Sequence, residues 1–177
     1  MKTDKHLKTL WNYCASLYEK EGVKEACLSL QDRHGADVIL ILFICWHWSE
    51  RGRVLGKRDI CFLTERSRAW QRDVISSIRM TRRQIGKSDE LAQRRIYRSL
   101  KASELEAEKQ ELVILIEALD ELSKGTDQTD TSQKGKPEDL MAGLLIYFEC
   151  LGVLLKPKDR QQLAILAGAD RLATAAS

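Results

Sequence analysis

The chain has 177 residues, 44% hydrophobic and 31% charged, with a formal net charge of +3. That length suits one compact domain with a real core, and the composition is ordinary for a soluble globular protein. The polar N-terminus lacks a signal-peptide core, and the two longest apolar runs, 38–46 and 140–155 (the second broken by Glu149), fall short of the ~20 residues a spanning helix needs. These features argue against secreted and membrane-spanning classes and for the cytoplasm.

Charge is unevenly laid out. Residues 51–98 hold fourteen Lys/Arg, twelve of them Arg, against five acids, which leaves the rest of the chain net acidic. A basic middle beside an acidic flank marks an interaction surface, intramolecular or with an anionic partner. The five cysteines are widely spaced, with no C-x-x-C pair. Odd count and spacing predict reduced thiols, with Cys14, Cys27 and Cys45 on apolar faces.

Leu7, Leu10, Trp11, Cys14, Leu17 and Tyr18 recur at three- and four-residue steps and predict a first amphipathic helix, ended or interrupted by Gly22. Val23, Ala26, Cys27 and Leu30 repeat the pattern in a second, with Gly35 as its left-handed cap and Asp37 as the N-cap of a third. The run 38–46 is apolar on every side. No second strand candidate exists to satisfy its backbone as a sheet, so it reads as the central helix of a bundle. Residues 50–57, with Gly52 and Gly56, read as a loop. Thr64 is placed as the cap of a helix running to about Ile85, with Trp70, Val74, Ile78 and Ile85 inside, and Ser88 as the next cap.

Helical residues then continue without a breaker to Leu122, about 50 Å of helix. A capping-box pattern at Ser103 and Glu106 marks where it would break; otherwise the helix bends or projects beyond the core. Residues 123–136 contain no apolar residue and read as a flexible linker. Pro137 and Pro157, the only prolines, suit the first positions of two last helices, with residues 173–177 fraying. The organisation is therefore all-α: a bundle of six or seven helices, with a core over 1–122 and two C-terminal helices over 137–177 packing on the same domain.

Leu10, Trp11, Asn12 and Tyr13, the Gln31, Asp32, Arg33, His34, Gly35 corner with its following apolar helix, and Trp70, Ile78, Arg79, Arg82 and Arg83 carry a resemblance. Over roughly residues 7–120 the chain resembles a small proteobacterial family known only as a domain of unknown function. The resemblance implies a cytoplasmic bacterial helical protein and brings no activity, cofactor or catalytic residue.

Two constellations compete for function. Gln31, Asp32, Arg33, His34 and Asp37 form the densest polar cluster beside the apolar core. They make either a small ligand or enzyme site, with His34 as base or ligand oriented by an Asp, or a plain helix corner. Metal is disfavoured because His6, His34 and His47 are scattered, and no cofactor is implied. The Gly52 to Lys57 segment is one residue short of a phosphate loop and lacks its Ser/Thr.

The arginine helix is the second constellation. Arg72, Arg79, Arg82 and Arg83, with Trp70 as packing anchor, would dock an acidic protein partner, or nucleic acid through the same face. Alternatively, the acids of residues 104–121 fold back and pair with the arginines internally. The expected role is a non-enzymatic interaction or regulatory protein, of oligomeric state not fixed by the sequence.

Overall fold

A computed structural model describes residues 2–86, 90–124 and 137–174. The described residues form eight α-helices and no strand: α1 (Lys2–Tyr18), α2 (Val23–His34), α3 (Val38–Arg51), α4 (Lys57–Trp70), α5 (Ser76–Ile85), α6 (Leu91–Lys124), α7 (Pro137–Cys150) and α8 (Pro157–Thr174). A π-helical segment, Gln71–Ile75, joins α4 to α5 in one rod, so the bundle contains seven rods. None of these helices is long and apolar enough to cross a membrane.

Helix α3 is apolar all round because it is surrounded. It contacts α1, α2, α4, α6, α7 and α8, and every residue from Ile39 to Cys45 is buried. Gly35 adopts φ 64° and its N–H donates to the Gln31 carbonyl, closing α2 as its position predicts. Asp37 then caps α3, accepting the Leu40 N–H at 3.1 Å. The C-terminal helices complete the core: α7 lies along α4, and α8 along α2 and α7. The backbone of α7 passes close to the α3–α4 loop at Gly143, where an added Cβ would sit 2.5 Å from Val54 Cγ1.

Three expectations change and one open alternative is decided. Thr64 is not a cap: α4 starts at Lys57, Asp59 accepts the Gly56 N–H, and the buried Thr64 hydroxyl donates to the Ile60 carbonyl in mid-helix. Helix α6 passes Ser103 unbroken, so of the two alternatives its first part projects beyond the core, and Glu104 faces α5 in ion pairs. The inner stripe of the α4–α5 rod also shifts. The π segment adds a residue to one turn, so Ile75 is buried, and Arg79 and Arg82 turn inward where Ile78 was expected to lead. Finally, Cys14, Cys27 and Cys45 are free and buried, but Cys61 and Cys150 form a disulfide joining α4 to α7. Their separation of 89 residues hid a pairing that only the docking of α7 reveals. The Ser88 cap and all but the first two residues of the 123–136 linker lie outside the described residues, as do the last three residues of the chain.

Candidate functional site

The α2–α3 corner splits into two unrelated clusters. Arg33 and His34, at the end of α2, both turn to Asp159 on α8, at 2.5 Å and 3.0 Å to its Oδ1, while Oδ2 accepts the Lys156 N–H at 2.8 Å. Asp159 is thus buried at the start of α8, where a carboxylate also suits the helix dipole. Burial pushes its carboxyl up, and the Lys156 hydrogen bond with the close His34 and Arg33 side chains more than reverses this, leaving it below the ordinary range. His34 packs edge-on to Phe148. Asp32 stays exposed and meets Arg83 at 3.3 Å, and Gln31 is half-buried.

Asp37 faces the other way. Its backbone N–H donates to the Tyr147 hydroxyl at 2.7 Å, and its Oδ2 accepts the Ser67 hydroxyl at 3.3 Å. Against it lies Glu111 of α6, wholly buried. Among the described residues no hydrogen-bond partner reaches either Glu111 oxygen. Burial, then the nearby Asp37 charge, push Glu111 up to about 11, which favours its neutral form. The same burial, with Asp37 beside it, raises the Tyr147 phenol.

Neither cluster brings His34 and Asp37 together. Two open surface depressions lie elsewhere, one lined by Tyr18, Lys20 and Glu25, the other by Lys20, Ile165 and Gly168. Among the described residues no three His, Cys, Asp or Glu converge on a metal position. His47 is buried on α3, and desolvation lowers it to about 4.

The arginine helix shows a different geometry. Arg79 lies 2.7 Å from Glu104 and 3.1 Å from Glu108, and Arg82 makes a very short contact with Glu104 and lies over the Tyr97 ring. Burial pushes Glu104 up, and the hydrogen bonds from Arg82 and Arg79 more than reverse it, so its carboxyl sits below the usual range. Arg72 pairs with its neighbour Asp73, and Trp70 anchors α4 on α6 by donating its indole N–H to the Ala107 carbonyl at 2.9 Å. The arginines of α5 that the sequence offers for docking are therefore engaged within the chain.

What remains open is the two-helix arm formed by α5 and the first part of α6. No residue of α5 is buried, and the first buried residue of α6 is Glu104. On this arm Arg95, Arg98 and Lys101 are exposed and have no ion-pair partner among the described residues. Met80, Leu91 and Ile96 are exposed beside them.

Glu111, Tyr147, Ser67 and Asp159 were not anticipated as members of a site. One signal existed: Glu104, Glu108 and Glu111 are in helical phase with Ala107, Leu115 and Ala118, which marks those acids as inward-facing.

A family model matches residues 9–115. The chain belongs to that family, described as "Protein of unknown function (DUF2390)". The DUF2390 region includes Asp37, Ser67, Arg79, Glu104 and Glu111, together with Arg95 and Arg98, whereas Tyr147, Cys150 and Asp159 lie beyond it. No curated protein and no solved structure matches the chain.

Proposed function

We propose that this DUF2390 member is a non-enzymatic interaction or regulatory protein of the bacterial cytoplasm that docks an acidic partner through the outer face of its α5–α6 arm. The observation that carries the reading is the set of exposed cations Arg95, Arg98 and Lys101, without an ion-pair partner among the described residues, next to exposed Leu91 and Ile96. On the α4–α5 rod the chain neutralises arginines with its own acids, at Arg66, Arg79, Arg82 and Arg83. Exposed charges of one sign steer and orient a partner more than they add affinity, and the adjacent apolar side chains supply contact area.

The test is affinity capture from bacterial lysate with the wild type and with the triple variant Arg95→Glu, Arg98→Glu, Lys101→Glu, each with and without nuclease. A defined protein lost in the triple variant and insensitive to nuclease supports docking. Capture unchanged in the triple variant refutes it. Capture abolished by nuclease transfers the same face to nucleic acid, with the salt dependence such binding carries.

A further inference from the structure

The outer stripe of α6 extends the docking reading. Starting at Leu91 and moving in steps of three and four residues, it runs through Arg95, Arg98, Ala102, Glu106, Lys109, Val113, Glu117 and Asp120 to Lys124. It lies opposite the face that carries Glu104, Glu111 and Leu115 inward. Reversed about the midpoint between Ala107 and Glu108, the stripe maps onto itself, and the charges then meet their opposites: Arg95 with Asp120, Arg98 with Glu117. Ala102 meets Val113 between them. Arg95, Arg98, Glu117 and Asp120 are all exposed, and none has an ion-pair partner among the described residues. At the centre Glu106 and Lys109 already pair within the helix at 2.6 Å, with Lys109 half-buried over the Trp11 ring of α1, and would meet their symmetry copies.

We infer that the acidic partner of the arm is a second copy of this chain, with the two α6 helices antiparallel across a two-fold axis at residues 107–108. This rests on the docking reading and names its partner. A self-complementary patch is what an isologous dimer requires. The four intermolecular pairs set orientation and register, and the small apolar share of the stripe makes the dimer weak and salt-sensitive.

The experiment is sedimentation equilibrium or light scattering of the full chain over a concentration series at low and high salt. The expected result is a reversible shift from the chain mass of 20.2 kDa to twice that value, suppressed by salt. The acidic variant Arg95→Asp, Arg98→Glu and the basic variant Glu117→Arg, Asp120→Arg each weaken self-association by about tenfold or more, while their equimolar mixture restores a dimer. These positions are exposed, and helicity by circular dichroism checks that each variant folds. Should either double variant lose helicity, the single pair Arg98→Glu and Glu117→Arg carries the same test.

A wild type that remains monomeric throughout overturns the inference. So does a dimer indifferent to the charge variants, or a mixture that fails to re-associate. The docking reading fails separately, when the triple arm variant captures lysate partners as the wild type does.

Discussion

Glu111→Gln offers the sharpest test of the buried acid pair. In the folded chain this carboxyl is held protonated against Asp37, at about 11 against an ordinary value of 4.5. A group whose folded value is raised contributes stability that is fully present below its unfolded value and is lost as pH rises toward the folded one. Holding the proton at pH 7 therefore costs about 3 kcal/mol, and at pH 5 under about 1 kcal/mol. An amide keeps the shape and carries no such cost. The variant should therefore be more stable than the wild type by about 3 kcal/mol at pH 7, roughly 6–12 °C in Tm for a chain of this size, and the gap should shrink by about two-thirds at pH 5. Thermal melts of both proteins between pH 5 and 8 measure it. A variant no more stable than the wild type at pH 7, or a gap that does not depend on pH, would show that Glu111 is not a neutral acid and that the reading of the pair is wrong.

Glu104→Gln leaves Arg79 and Arg82 half-buried without their shared carboxylate and should cost about 3 kcal/mol in urea unfolding. Because the Glu104 carboxyl sits below its usual 4.5, its contribution is present above that pH and fades as the solution is acidified through the lowered value, so wild type and variant should converge in acid. Gly143→Ala drives a methyl group to within 2.5 Å of Val54 and should destabilise by about 1–3 kcal/mol. Adding Val54→Ala should recover part of that loss, and no recovery would mean the close approach is not the cause. Reduction of Cys61–Cys150, which spans 89 residues, should lower stability by about 4 kcal/mol. A thiol titration of the unfolded chain should count three before reduction and five after it.

The local chemistry of the fold was readable from the sequence. Gly35 and Asp37 define the α2–α3 corner by backbone and capping rules that act over a few residues, and the apolar run of α3 announces a helix surrounded by others. Pairing between distant segments was not readable. Whether Arg79 faces water or Glu104, whether Cys61 finds Cys150, and whether His34 meets Asp37 or Asp159 are decided by how rods dock, which single-sequence periodicity leaves open. The internal pairing of the arginines was one of the alternatives, and α5 realises it. What escaped the reading was the one-residue phase change within the arginine rod.

That phase change has a consequence for how the surface can vary. One residue inserted in a helix turns everything beyond it by about 100°. At Gln71–Ile75 the chain absorbs such a step without breaking the rod. Plain α geometry there at unchanged length would turn Arg79 and Arg82 off Glu104 and expose two cations now hidden, whereas deleting one residue as the turn reverts to α would leave both in place. The electrostatic face of the arm is thus governed by the helical type of one turn as much as by its side chains, so a change from π to α at fixed length would redraw the surface while every arginine is kept.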